Sequence, residues 1–373
     1  MLVPDSVPVI DSPELGAWLR LTETPQLGRE SVRKLLAAFG SAQATLAAST
    51  AARGGVVPRT PAAALETVPE NFDAQFSATL AWLNADTPEP RDVITLGDSR
   101  YPAALLDTAD PPLLLYAQGR FELLNANAIA VVGSRSPTAQ GADNARAFSC
   151  QLSQGGLTIV SGLALGVDAA AHTGGLEGDG STVAVVGTGL DRVYPKRNLA
   201  LAHRIAANGL IVSEYSLGMP PLAPNFPRRN RIIAGLAKGT LVVEAAVQSG
   251  SLITARMANE AGRDVFAIPG SIHSPQARGC HALIKQGAKL VETAQDILEE
   301  LRGCAAPAPM QPGGDAHATP LLDALGFDPV TLDALVARTG ASAAELSVQL
   351  LDLELGGQVA RLPGQLFQRV ARG

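Results

Sequence analysis

The sequence predicts an α/β fold with a doubly wound, mostly parallel sheet, a small helical domain before it and a winged-helix domain after it. Short apolar runs alternate with helical segments between residues 128 and 268, as in parallel sheets with crossover helices. Helical periodicity prevails in residues 13–83, and residues 321–373 follow the order helix, turn, helix, hairpin. The predicted domains are residues 1–86, 87–302 and 321–373, with a linker at 303–320.

The first parallel strand of this pattern is the apolar run at residues 128–132, which is short enough for a strand buried on both faces. A turn at Gly133, Ser134 and Arg135 follows this strand and leads into a helix. Backbone N–H groups and the dipole at such a helix start favour a bound anion, and the planar guanidinium of Arg135 suits phosphate. The turn therefore predicts an anion site.

The helix behind this turn is predicted to span residues 138–154, with Ser136 as its N-cap and Pro137 in its first turn. Further strand-sized runs occur at residues 157–160, 183–186, 210–212, 241–243 and 265–268. Two more, at residues 93–96 and 113–117, are expected to widen the sheet. Turns after parallel strands open on one edge of a sheet, so ligands are expected at that edge.

Length and composition indicate a multidomain globular protein. The chain has 373 residues, 46% of them hydrophobic, and no apolar run reaches membrane-spanning length. Residues 1–10 lack the basic start and apolar core of a signal peptide, so a cytoplasmic location is expected. Cys150, Cys280 and Cys304 lack metal-ligand spacing, which favours buried or free thiols over a zinc site or a disulfide.

The distribution of charge bears on nucleic-acid binding more than the net charge of −6 does. Residues 1–90 carry 6 basic and 10 acidic side chains, and residues 304–373 carry 4 and 7. Residues 190–233 instead carry seven basic and two acidic side chains. The basic ones are Arg192, Lys196, Arg197, Arg204, Arg228, Arg229 and Arg231. Such a cluster can bind phosphate on a protein that is acidic overall.

The densest motif is residues 225–236, where three arginines begin a predicted helix whose opposite face is apolar. Arginine at a helix start is unfavourable unless an anion is nearby. Phe226 precedes these arginines, and a ring beside cations can stack a base while the cations hold its backbone. The alternative is a core phenylalanine with solvated arginines. Because Arg135, Lys196 and Arg197 are expected at the same sheet edge, nucleic-acid binding is favoured.

Three ionisable side chains are candidates for catalysis. Asp168 and His172 lie four apart on one predicted helix, where they can form an acid/base pair or brace the helix; bracing is favoured. Glu244 ends a predicted strand and can serve glycosidic cleavage or hold a loop by accepting N–H bonds; the loop role is favoured. Residues 187–189 lack the third glycine of a dinucleotide motif, and no glycine loop matches a P-loop.

The flanking segments are predicted to form packing or interaction domains. Residues 27–40 have helical spacing and a glycine stop, which fits either a helix–hairpin–helix element that binds DNA phosphate or a packing module. Packing is favoured because residues 1–90 are acidic overall. Residues 49–69 are expected to be irregular and residues 72–83 helical. The helix predicted at residues 342–355 carries three acidic and no basic side chains, so protein contact is expected there instead of DNA reading.

Five motifs lie at residues 133–135, 161–172, 193–196, 225–235 and 249–255. In this combination and order they resemble the DNA-processing protein A (DprA, or Smf) family, and the resemblance covers about residues 92–300. The resemblance implies an extended Rossmann fold and a dimeric single-stranded DNA-binding protein with no catalysis and no cofactor. Such a protein protects incoming DNA and loads the RecA recombinase in natural transformation. Single-strand-binding protein is a further expected partner.

The resemblance also implies roles for individual residues. Residues 133–135 would line a phosphate pocket, Lys196 would add charge, and Phe226 would contact a base between Arg228 and Arg231. The DNA-binding residues predicted from the resemblance and the basic cluster together are Gly133, Ser134, Arg135, Ser136, Thr138, Ser161, Gly162, Lys196, Arg197, Asn225, Phe226, Arg228, Arg229, Arg231, Ser249, Gly250 and Ser251.

Two departures from known patterns qualify this resemblance. Residues 220–224 lack the lysine that family members often carry before the Asn-Phe-Pro element.

The predicted sheet also resembles that of nucleotide phosphoribohydrolases, whose Pro-Gly-Gly-x-Gly-Thr-x-x-Glu motif is half present. Gly239, Thr240 and Glu244 match it, whereas residues 236–238 do not. That enzyme is the alternative function.

Overall fold

The computed structural model describes residues 10–302, 320–326, 329–362, 364 and 366–370. The first part is helical, with α1 (Ser12–Glu23), α2 (Arg29–Phe39), α3 (Ala42–Ala47), α4 (Thr50–Gly54), α5 (Arg59–Ala64) and α6 (Phe72–Leu83). The central part contains β1 (Arg91–Thr95), α7 (Ala103–Leu106), β2 (Leu114–Gly119), β3 (Ala128–Val132), α8 (Ala139–Gln154), β4 (Thr158–Ser161), α9 (Val167–Gly175), β5 (Thr182–Val185), α10 (Leu199–Asn208), β6 (Leu210–Ser213), α11 (Asn225–Leu236), β7 (Gly239–Val242), α12 (Gly250–Glu260), β8 (Asp264–Ala267), α13 (Arg278–Lys285), β9 (Lys289–Leu290) and α14 (Ala294–Arg302). The last part contains α15 (Pro320–Leu325), β10 (Val330–Thr331), α16 (Leu332–Thr339), α17 (Ala343–Leu355), β11 (Val359–Leu362) and β12 (Leu366–Arg369).

The central part is a nine-stranded sheet in the order β1-β2-β6-β5-β4-β3-β7-β8-β9. Neighbouring strands from β6 to β9 run parallel, whereas β1 and β2 extend the sheet as antiparallel strands. The predicted doubly wound, mostly parallel α/β fold is therefore confirmed, with strand limits shifted by one or two residues. Because β4 and β7 lie on opposite sides of β3, the order in which strands are added to the sheet reverses there, and a crevice opens beyond the ends of β3 and β7.

Strand β3 is buried on both faces, as its uninterrupted apolar sequence predicts. Ile129 and Val131 pack in the cluster that contains Leu152 of α8, whereas Ala130 and Val132 pack in the cluster that contains Ile233 of α11. Burying a Val or Ile side chain contributes about 1.5–3 kcal/mol, so this strand anchors both helical layers. The loop that follows β3 therefore leaves a rigid support.

The start of α8 differs from the sequence prediction. Ser136 was expected as the N-cap, but the cap is Thr138, whose Oγ1 accepts a hydrogen bond from the N–H of Gly141 at 2.9 Å. The helix accordingly begins at Ala139, and Ser136 and Pro137 belong to the preceding loop. The physical reason is a tertiary contact: Glu244 accepts bonds from Thr138 and holds it at the cap position.

The N-terminal helices confirm one local prediction and overturn another. Helix α2 stops at Gly40, which has a left-handed φ of 83°, as the predicted glycine stop requires. Residues 49–69, expected to be irregular, instead contain α4 and α5. Ser49 caps α4 through a 3.2 Å bond from the N–H of Ala52, and the high helix propensity of alanine outweighs the glycines and prolines nearby.

Helix α2 docks the N-terminal helices against the sheet through ion pairs. Arg29 and Arg33 lie 2.6 and 2.8 Å from the carboxylate of Asp110, and Arg29 also reaches Glu214 at 3.2 Å. Trp18 of α1 packs in the same apolar cluster as residues of β2. The structure therefore uses this segment for packing, in line with the favoured interpretation.

The last part of the chain has the predicted winged-helix order. Helices α15–α17 pack on a sheet ordered β10-β12-β11, and Ser342 and Glu345 form a reciprocal capping box at the start of α17. Of the predicted linker, residues 303–319 lie outside the described residues, as does Cys304; Cys150 and Cys280 are free thiols. None of the helices in the described ranges combines the length and apolar character that a membrane crossing requires.

Candidate nucleic-acid interface

A cavity of about 530 Å³ lies where the strand order reverses, beyond the ends of β3 and β7. Its walls come from the loops after these strands and from the first turns of α11 and α12. The predicted residues that line it are Gly133, Ser134, Arg135, Ser136, Phe226, Arg229, Ser249, Gly250 and Ser251. The structure thus brings together residues from three motifs that are far apart in sequence.

The loop after β3 is held tightly by backbone contacts. A Cβ atom at Gly133 would lie 2.7 Å from Cγ2 of Val167 and 2.9 Å from the carbonyl oxygen of Glu244, so only glycine fits. The carbonyl of Ser134 accepts a 3.1 Å bond from the N–H of Val167, and its hydroxyl accepts one from the N–H of Ser136. The loop is therefore fixed, and the side chain of Arg135 extends from it into solvent.

Arg135 is a cation with an aromatic neighbour. Its Cζ atom lies 5.9 Å from the centroid of the Phe226 ring, within the range of a cation–π interaction. Among the described residues, Arg135 forms no ion pair with a carboxylate. An unpaired guanidinium at the rim of a cavity is available to a phosphate.

Phe226 is half-buried. Its burial is intermediate between that of an exposed stacking ring and that of a core ring, the two predicted alternatives. A Cβ atom at Gly187 would lie 3.2 Å from its Cδ1, so one part of the ring rests on the backbone of Gly187. The ring also lines the cavity and contacts Tyr194, with centroids 5.5 Å apart. Tyr194 is absent from the predicted site, although the motif at residues 193–196 contains this aromatic residue.

Helix α12 begins at the opposite wall of the cavity. Ser249 is its N-cap, with its Oγ 3.3 Å from the N–H of Ser251 and 2.7 Å from the hydroxyl of Ser251. Gly250 lies at the first helical position and lines the cavity. The N–H groups and the dipole of this first turn give the wall a positive potential without a charged side chain.

Comparison with known families identifies the family of the chain. A family model described as DNA recombination-mediator protein A matches residues 92–302. The chain belongs to the DNA recombination-mediator protein A family. Two further models, a DprA-like N-terminal HHH domain and a DprA winged helix domain, match residues 13–74 and 305–365. The resemblance found in the sequence is thereby confirmed. The HHH description agrees with the helix–hairpin–helix alternative that the sequence analysis ranked second.

Individual relatives support this membership over most of the chain. Protein Smf of Escherichia coli is 43% identical over 301 residues, which cover 78% of this chain and 79% of that protein. DNA processing protein DprA of Streptococcus pneumoniae is 51% identical over 203 residues, which cover 54% of this chain and 72% of that protein.

Two solved structures of family proteins have the same fold. DNA processing protein A from Streptococcus pneumoniae superposes with a TM-score of 0.66 at 38% identity, covering 79% of this chain and 99% of that chain. The second structure concerns the single-stranded DNA binding mode of DNA processing protein A from Helicobacter pylori. It gives a TM-score of 0.52 at 31% identity, covering 56% of this chain and 95% of that chain.

Within this family fold, Arg229 has a structural position. It is 4% exposed, and its Nη1 donates to the carbonyl oxygens of Gly162, at 2.6 Å, and Val185. A Cβ atom at Gly162 would collide with this guanidinium. Burial lowers the pKa of Arg229 to about 10. Although Arg229 borders the cavity, its donors tie α11 to the ends of β4 and β5.

Four other predicted residues also have internal partners. The Nδ2 of Asn225 donates to the carbonyl of Gly187 at 3.1 Å, and the Oγ of Ser161 donates to the carbonyl of Val131 at 2.7 Å. Arg231 pairs with Glu214 and, at 3.3 Å, with Asp110, which places it beside α2. Thr138 bonds to Glu244, as described above. None of these four lines the cavity.

Three predicted cations remain exposed outside the cavity wall: Arg228, Lys196 and Arg197. Lys196 and Arg197 lie in a short 3-10 turn that is anchored by Asn198, whose Nδ2 donates to the carbonyl of Leu163 at 2.9 Å. In the part of the chain that the structure describes, none of the three cations forms an ion pair. They are free to meet a polyanion.

Glu244 has the loop-holding role that the sequence analysis favoured. Its Oε2 accepts the backbone N–H of Thr138 at 2.9 Å, and its Oε1 accepts the hydroxyl of Thr138 at 2.6 Å. These bonds join the loop after β7 to the start of α8. Both carboxylate oxygens are therefore engaged in fixing the cavity wall.

Asp168 and His172 brace the loop between β4 and α9 and do not form a pair with each other. Asp168 accepts the N–H groups of Gly162 and Ala164 at 3.2 and 3.3 Å, and burial raises its pKa. The Nε2 of His172 accepts the N–H of Leu163 at 3.2 Å.

The proton on His172 can be assigned from its neighbours. Because Nε2 accepts a bond, the proton of a neutral ring is on Nδ1, which lies 2.7 Å from Oγ1 of Thr182. The Thr182 hydroxyl itself donates to the carbonyl of Ile159, so it accepts from Nδ1. Burial lowers the pKa of His172 to about 3, which keeps the ring neutral. The bracing interpretation is confirmed for both side chains.

Proposed function

We propose that this chain binds single-stranded DNA as a recombination mediator, protects incoming DNA and loads RecA onto it during natural transformation. The observation that carries the proposal is the cavity at the switch point of the sheet, where the free cation Arg135, the half-buried ring of Phe226 and the first turn of α12 meet. A cation and a helix start hold phosphate, and an aromatic ring stacks a base.

Single strands fit this site better than duplexes do. Stacking on Phe226 requires an unpaired base whose face is accessible, and base pairing hides that face inside the duplex. The exposed cations Arg228, Lys196 and Arg197 would hold the backbone on either side. The Helicobacter pylori relative described above, whose structure concerns single-stranded DNA binding, supports the same choice.

The direct test is binding of labelled single- and double-stranded oligonucleotides over a series of salt concentrations. We expect tighter binding of single strands, with log K falling linearly with log salt by about 0.7 per phosphate contact. Equal affinity for both forms, or an affinity independent of salt, would contradict the proposal.

We infer that the chain works by binding, without a catalytic step or a cofactor. Glu244, Asp168 and His172, the candidates for a phosphoribohydrolase-like activity, all have structural hydrogen bonds. The alternative function is tested by assaying the release of free base from nucleoside monophosphates. Release that the wild-type chain catalyses and that Glu244→Gln abolishes would favour the enzyme.

The partners RecA, single-strand-binding protein and a second copy of this chain belong to the same proposal, as does a cytoplasmic location. RecA loading is tested by following RecA filament formation on single strands that carry single-strand-binding protein. We expect the wild-type chain to accelerate filament formation and Arg135→Ala to do so less. If the wild-type chain binds DNA but filaments form no faster than with RecA alone, the loading role is wrong.

Sedimentation of the same preparation tests whether the chain forms a dimer.

A further inference from the structure

Tyr194 lies beside the cavity wall as a second aromatic ring. Its side chain is 48% exposed, and its ring centroid is 5.5 Å from that of Phe226, with 37° between the planes. The guanidinium of Arg135 lies 5.9 Å from the same Phe226 centroid. Phe226 therefore adjoins two planar groups, of which Arg135 lines the cavity and Tyr194 does not.

The backbone around Tyr194 is anchored before and after the ring. On the N-terminal side, Oγ1 of Thr188 donates to the carbonyl of Arg192 at 3.2 Å. On the C-terminal side, the buried Asn198 donates to the carbonyls of Leu163 and Ala164. An exposed ring on a fixed backbone loses little conformational freedom when a ligand covers it, which favours binding.

We propose that Tyr194 is a second base-stacking platform, which takes the nucleotide next to the one on Phe226. This inference rests on the single-stranded DNA binding proposed above and extends that site beyond the cavity. Lys196 and Arg197, exposed in the turn that follows Tyr194, hold the phosphate of this outer nucleotide. The bound strand thus runs from the cavity over Phe226 and out across Tyr194.

The angle between the two rings favours single-stranded over double-stranded DNA. Bases stacked on planes 37° apart cannot remain parallel to each other, so the strand must splay its bases. A single strand can do so at little cost, whereas a duplex must first unpair and unstack. The second platform therefore adds to discrimination against double-stranded DNA as well as to affinity.

The test compares the full-length wild-type chain with Tyr194→Ala, Tyr194→Phe and Phe226→Ala, using thymidylate oligomers of increasing length. We expect the wild-type/Tyr194→Ala affinity ratio to be near one for the shortest oligomers that bind and to rise to about fivefold or more for longer ones. The ratio for Phe226→Ala is large at every length. Tyr194→Phe keeps the ring and so keeps wild-type affinity.

Each other outcome has a definite meaning. Unchanged affinity of Tyr194→Ala at all lengths means that no base stacks on this ring. A loss of the same size at all lengths means that Tyr194 only shields or orients Phe226, and the second platform is wrong. A wild-type chain that binds none of the oligomers contradicts the proposed function itself and not merely this extension.

Discussion

Helices α11 and α17 occupy positions from which a helix can contact nucleic acid, but their surfaces differ in charge and polarity. At the start of α11, Phe226 and the exposed Arg228 lie at or beside the cavity. Helix α17, the second helix of the winged-helix domain, carries three acidic residues and no basic one, and its residues Val348, Leu351 and Leu355 are 62%, 54% and 80% exposed.

The difference shows that position in a fold does not decide what a helix binds. In DNA-binding winged helices the second helix enters the major groove, but the acidic residues Glu345, Asp352 and Glu354 would repel phosphate there. Exposed apolar side chains at a spacing of three and four residues are instead typical of a helix that packs against another protein. We therefore propose that α11 contacts DNA and that α17 contacts a protein partner.

The largest effect is expected on the stability of the protein, from Arg229→Ala in α11. Removing this side chain leaves the buried carbonyl groups of Gly162 and Val185 without their donor, and each of them costs about 1–3 kcal/mol of unfolding free energy. Chemical denaturation measures the change. Arg228→Ala is the matched control, since Arg228 is exposed and its loss should leave stability unchanged while weakening DNA binding. Equal stability of the two variants would contradict the division of these adjacent arginines into a structural Arg229 and a DNA-binding Arg228.

The next effect is on affinity, from Phe226→Ala. Loss of a base-stacking ring costs roughly 1–3 kcal/mol of binding free energy for single strands. The salt dependence should hardly change, because no phosphate contact is lost. Phe226→Trp should retain most of the binding. If Phe226→Ala instead lowers the melting temperature sharply while the folded fraction binds normally, the ring belongs to the core.

A smaller effect is expected from Arg135→Ala, and it should appear mainly in the salt dependence. Losing one phosphate contact reduces the slope of log K against log salt by about 0.7 for a single strand. Stability should not fall, because Arg135 is exposed and has no ion pair among the described residues. A wild-type slope together with wild-type affinity would exclude Arg135 from the site.

The smallest effect is expected from removing α17 with the rest of the tail. A chain shortened to residues 1–303 should bind single strands as tightly as the full chain, because the tail contributes net negative charge and α17 has no basic side chain. Fluorescence anisotropy at one salt concentration is sufficient to compare the two chains. A large loss of affinity in a shortened chain that retains its melting temperature would show that α17 helps to bind DNA.

The sequence alone determined the layout of the fold and the meeting of three motifs at one edge of the sheet. Alternation of apolar runs and helical segments predicts a parallel sheet, because strands buried on both faces must be apolar throughout. The turns after parallel strands share one edge, so the order of strands and turns along the chain is enough to assign the motifs at residues 133–135, 225–236 and 249–255 to one site. Their residues do line one cavity.

The tertiary structure alone decided which polar side chains remain free for a ligand. Successive positions of a helix point in different directions, so Arg228 faces solvent, Arg229 bonds to the ends of β4 and β5, and Arg231 pairs with Glu214 and Asp110. The sequence shows where the arginines are in the chain but does not show which groups pack against them. Those groups decide whether each guanidinium is paired or free. For the same reason the cap of α8 is Thr138, which is selected by a carboxylate 106 positions away in the chain.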